Sequence, residues 1–99
     1  MKKQRLEILK LVLEIFERRE TYRSGICYAI QLLPIQGINY NEIKLFEAWF
    51  ERQKPHSRFY SKFYKHHTFI DGGYWWCRTE EGYNQRVLFL KHLIEKLSK

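Results

Sequence analysis

Asn39-Tyr40-Asn41-Glu42-Ile43-Lys44-Leu45-Phe46-Glu47-Ala48-Trp49-Phe50-Glu51-Arg52-Gln53 is the stretch whose reading decides the fold. Asn39 followed three positions on by Glu42 has the spacing of a capping box, in which two side chains satisfy backbone N–H groups that a first helical turn leaves unpaired. Behind it Ile43, Phe46, Ala48, Trp49 and Phe50 carry a helix to about Gln53. Lys54-Pro55 stops it, because the residue before a proline is pushed out of the helical region.

The same periodicity extends outward in both directions. On the N-terminal side, Leu6, Leu9, Leu13 and Phe16 form one row and Ile8, Val12 and Ile15 a neighbouring one, which predicts a helix over 3–19. So wide an apolar arc on a short chain predicts cover from two sides, by the chain itself and by a second copy. Ser24-Gly25 is a capping site for a short buried helix through Ile26, Cys27, Ala29, Ile30 and Leu33, which must end before Pro34, and 34–38 reads as a turn. On the C-terminal side, Phe59-Tyr60 and Phe63-Tyr64 repeat at four residues and suit one or two helical turns. Thr68-Phe69-Ile70 and Tyr74-Trp75-Trp76 flank Asp71-Gly72-Gly73, a hairpin signal, since glycine supplies the positive φ of a tight turn. Val87, Leu90, Leu93, Ile94 and Leu97 define a last helix that starts between Thr79 and Tyr83. The fold class expected is mainly α: one small domain, 1–99, of about four helices with a short β-hairpin near residues 68–77.

Charge is concentrated in 52–78. Arg52, Lys54, Arg58, Lys62, Lys65 and Arg78 face one acid, Asp71, so +5 of the formal +7 lies there, with eight of the seventeen aromatic residues. Cationic donors interleaved with flat rings suit a ligand that is itself anionic and flat, a nucleotide or a nucleic acid. No apolar run approaches the roughly 18 residues that span a bilayer, and the charged start, Met1-Lys2-Lys3-Gln4-Arg5, is unlike a signal-peptide core. The expected location is therefore the cytosol, where Cys27 and Cys77 read as free thiols.

Within the stretch, Tyr74, Trp75 and Trp76 would alternate across a strand, so one face can pack while the other stacks on a base. The plain structural alternative is that all three anchor the hairpin to the helices. Arg52, Lys54, His56 and Arg58 fall at alternate positions and, in an extended chain, make a small comb for phosphate, or else a solvated basic edge. Arg86, read as opening the last helix, stands where backbone N–H groups are also free to meet an anion. Tyr64 completes the candidate ligand-binding set of Arg52, Lys54, His56, Arg58, Tyr64, Tyr74, Trp75, Trp76, Arg78 and Arg86. His66-His67 with Asp71 or Cys77 lacks the paired spacing of a structural zinc site. His56, His66, His67, Glu80 and Glu81 could serve a phosphodiesterase, yet no catalytic motif organises them, so no enzyme, metal or cofactor is expected.

Gly25-Ile26-Cys27-Tyr28-Ala29-Ile30, Leu45-Phe46-Glu47-Ala48-Trp49, Lys54-Pro55, Tyr74-Trp75-Trp76 and Arg86 with Phe89-Leu90 together resemble a signature of small uncharacterised proteins of tailed bacteriophages and prophages. The resemblance covers most of 24–94. Cys77-Arg78-Thr79-Glu80 differs from the family, which has a Pro/Gly-rich link at that point. The family has no assigned activity, so it carries over no functional residue; it implies an accessory protein acting on the host in the bacterial cytosol. Small phage proteins that capture nucleotide signals of bacterial immunity share its size and its lack of catalytic motifs. The function expected is sequestration of a small anionic nucleotide, a cyclic nucleotide or ADP-ribose-type signal, by a homo-oligomer without turnover. The rivals are a DNA- or RNA-binding protein using the 52–78 stretch as an open groove, and a protein–protein inhibitor of a host defence enzyme.

Overall fold

The computed structural model describes residues 2–18, 26–53 and 80–99. These form α1 (Lys2–Glu17), α2 (Ile26–Gln31), a 3₁₀ turn (Leu33–Gln36), α3 (Tyr40–Gln53) and α4 (Glu80–Ser98). The chain is mainly α, as its periodicity predicts. The hairpin expected near 68–77, the aromatic repeat at 59–64 and the Ser24-Gly25 cap lie outside the described residues.

Each boundary has a local cause. Asn39 caps α3, its Oδ1 accepting the Asn41 backbone N–H at 2.7 Å, and Glu42 places a negative charge in the first turn, where the helix dipole favours it. Pro34 does more than end α2. It occupies the first turn of the 3₁₀ segment, where its missing N–H has no helical partner to lose, and Leu33, expected on α2, belongs to this turn. Gly37 closes the turn at φ 88°, a left-handed conformation that side chains with a Cβ rarely adopt, and donates its N–H to the Pro34 carbonyl at 3.1 Å.

α1 lies at the centre of the packing. Ile8, Leu9, Val12, Ile15 and Phe16 are all buried, as are Ile26, Ala29, Ile30 and Leu33 beside them. The second row, Ile8, Val12 and Ile15, is therefore buried within one chain, whereas Leu6 and Leu13 of the first row are half-buried. α3 joins through large rings: Phe46 packs on Trp49 and Phe50 at 5.8 and 5.7 Å, and Phe50 meets Phe89 of α4 edge-on at 5.6 Å. Such pairs add about 0.5–1.5 kcal/mol each beyond their buried area. Phe89, fully buried, is absent from the row read off the last helix, whereas Ala48, read as part of the apolar face of α3, is exposed.

The contacts also set direction. Phe16 stacks on Tyr83, near the start of α4, while Lys3 and Leu6 share a depression with Leu97 and Lys99 at its end, so α1 and α4 are antiparallel. Phe50 meets Phe89 and Gln53 meets Lys96, so α3 and α4 run in the same sense. The start of α1 and the ends of α3 and α4 thus share one end of the helical frame.

Candidate anion-binding surface

Of the ten candidate ligand-binding residues, Arg52 and Arg86 are described; Lys54, His56, Arg58, Tyr64, Tyr74, Trp75, Trp76 and Arg78 lie outside the described residues. Arg52 is exposed in the last turn of α3, a position from which it can meet an anion.

Arg86 is different. The reading that placed it at the opening of the last helix is corrected: α4 opens at Glu80, and the backbone N–H groups without helical partners belong to its first turn. Arg86 stands nearly two turns further on and is completely buried. Its guanidinium lies over the Phe16 ring, 5.3 Å from the centroid, and its Nε donates to the Gly82 carbonyl at 3.3 Å. A desolvated cation–π contact offsets part of the cost of burying this charge. Phe16 in turn stacks on Tyr83, with centroids 5.1 Å apart and planes within 20°. Burial raises the Tyr83 phenol above its ordinary 10.0, the Glu17 carboxylate pushes it the same way, and Arg86 opposes both. This is an internal junction of α1 and α4, closed to an incoming ligand.

The two described arginines do not converge. Lys96, which touches the residue after Arg52, is ten residues beyond Arg86, or ~15 Å along the helix axis. The last turn of α3, which carries Arg52, instead meets a cation of α4 that the periodicity does not reveal. Lys96 Nζ donates to Gln53 Oε1 at 3.4 Å, tying the end of α4 to the last turn of α3. Lys96 and Lys99 line an open depression of about 300 Å³ with His92 and Glu95; Lys99 also lines a second, of about 430 Å³, with Lys3 and Leu6 of α1. Arg5, half-buried, lies over Trp49 at 5.6 Å from its ring. Periodicity finds the helices that carry these cations, but their meeting depends on chain direction, which periodicity does not encode.

A cleft of about 560 Å³ on the frame has the opposite character. Glu7, Glu14 and Glu42 line it over Ile8, Leu11 and Ile38, with Lys10 and Gln4 at the side. Among the described residues no group of three or more His, Cys, Asp or Glu side chains could hold a metal ion, and no helix is long and apolar enough to cross a membrane. No protein-family model, curated protein or solved structure matches the chain.

Proposed function

We propose that the protein binds a small anionic nucleotide, of the cyclic or ADP-ribose-type signal class, and holds it without turnover. The observation that carries this reading is an asymmetry of composition against fold. The described residues bear eleven basic and nine acidic side chains, a net of only +2, and bury Phe16, Phe46, Trp49, Phe50 and Phe89 in their own core. A net of +5, Arg52 included, and a further eight aromatic residues are gathered in 52–78, more cation and ring than a frame with its own aromatic core demands. In this reading Arg52, Lys54, His56, Arg58 and Arg78 neutralise phosphate, and Tyr64, Tyr74, Trp75 and Trp76 supply stacking surface for the base. Arg86 is reassigned to holding α1 against α4.

Thermal unfolding of the full chain against cyclic di- and trinucleotides, ADP-ribose derivatives and short oligonucleotides tests it. A ligand that binds only the folded chain adds about 2.7 kcal/mol at a hundredfold excess over Kd, a shift of several degrees for a domain of this size. The expected result is a shift with one small nucleotide that survives moderate salt, the nucleotide being recovered unchanged. Shifts with oligonucleotides alone that vanish in salt replace this reading with nucleic-acid binding, and silence across the panel rejects both.

A further inference from the structure

We infer that the helical frame carries its own phosphate-binding end, formed by Lys3, Arg52, Lys96 and Lys99, which continues the basic stretch onto α1 and α4. The inference rests on the nucleotide reading only for the identity of the ligand; the affinity of this end for phosphate stands or falls by itself.

The plain explanation for cations at helix ends is the helix dipole, which favours bases at a C-terminus and acids at an N-terminus. α4 obeys it at its C-terminus, with Lys96 in its last turn. α1 does the reverse. Its first turn holds Lys3 and Arg5 and no acid, and its last turn holds Glu14 and Glu17, with a base, Arg18, only just beyond, 3.7 Å from Glu14. Because α1 runs antiparallel to α4, the two helices place their cations at the same end of the frame although their dipoles point in opposite directions. What they have in common is a location in space. The near-neutral frame is thus polarised, with this end basic and the α1–α3 cleft lined by Glu7, Glu14 and Glu42 acidic.

Position supports a binding role. Lys3 and Lys99 share one depression, Lys99 and Lys96 the next, and Lys96 bonds Gln53, beside Arg52 and immediately before Lys54. The row of cations therefore leads to the point where the basic stretch begins. Two acids stand near it: Glu51, exposed beside Arg52 in the last turn of α3, and Glu95, 3.9 Å from Lys99 in a pair whose side chains are 72% and 79% exposed, where solvent screens the pairing. The chemistry that fits is a phosphate-bearing ligand, whether a free nucleotide or a nucleic-acid strand.

The test is backbone NMR of the full chain titrated at low salt with inorganic tripolyphosphate, a cyclic dinucleotide and a single-stranded octanucleotide. Tripolyphosphate is expected to move the amide signals of Lys3, Arg52, Lys96 and Lys99 saturably, leaving Lys10 and Lys44 in place, and K96Q/K99Q should weaken this binding roughly threefold to tenfold. Equal movement of Lys10 and Lys44, or undiminished binding by K96Q/K99Q, overturns the inference. If tripolyphosphate maps to this end while neither nucleotide binds, the end stands and the nucleotide reading falls. A nucleotide that binds while tripolyphosphate leaves these four signals in place does the opposite, and whichever nucleotide moves them names the source of the phosphate.

Discussion

Arg86 and Lys96 stand ten residues apart on α4, each with its cationic group against another helix, and the fold treats them in opposite ways. Around Arg86 the facing surface is Phe16, backed by Tyr83, and the charge is sealed from solvent. Around Lys96 the facing group is the Gln53 amide, and the charge remains in water beside Lys99. The same kind of residue is a structural staple at one end of α4 and an available donor at the other. What stands opposite decides, and residue type does not.

That contrast can be broken experimentally from the closed end outward. Phe16→Ala removes the ring that carries both Arg86 and Tyr83, and should cost about 3–5 kcal/mol in chemical denaturation, the largest effect of the set. Arg86→Ala follows at roughly 2–4 kcal/mol, because it leaves a void in the core, whereas Arg86→Met should recover much of that loss by filling the space without a buried charge. An unchanged stability in Arg86→Ala would show that the closed end depends on the aromatic pair alone. Asn39→Ala, which unties the first turn of α3, should cost about 1 kcal/mol.

At the open end the expectation inverts. Arg52→Ala should change stability by less than about 0.5 kcal/mol, as an exposed residue does, while weakening binding of whichever phosphate ligand the protein takes. A loss of stability comparable to that of Arg86→Ala would erase the distinction between the two ends. The smallest effect is alkaline. Tyr83 is held above its ordinary 10.0, so the stability gained by keeping the phenol neutral is complete below that pH and is lost as pH rises through the raised value. Tyr83→Phe should flatten this decline, measured as denaturation midpoints on either side of pH 10.

How much of this was legible beforehand depends on the range of the interaction. The cap at Asn39, the stop at Gln53 and the opening of α4 at Glu80 all follow from groups within a few residues of one another, and they fall where the periodicity predicts. Phe89 is not legible because it lies beside the obvious Val87–Leu90–Leu93 row, and its packing partner Phe50 arrives from α3. The second apolar row of α1 was visible, but its partner was not. A wide arc records how much surface must be covered and carries no information on whether the cover comes from the same chain. Among the candidate site residues, the exposure of Arg52 follows from its place in the last turn of a helix. Arg86 was misread because a cation near a helix start resembles a ligand donor until the opposing helix is known.

The sequence by itself therefore determined the helices, their caps, and the gathering of charge and aromatic rings in 52–78, because hydrogen bonding, backbone sterics and side-chain period act over a few residues. Only the tertiary structure decided that Arg86 is sealed against Phe16, that the Ile8, Val12 and Ile15 row of α1 is buried within one chain, and that Lys3 shares a depression with Lys99 while Lys96 bonds Gln53 of α3. Those outcomes depend on the direction in which each helix crosses its neighbours. Packing between residues far apart in the chain sets that direction, and no local pattern records it.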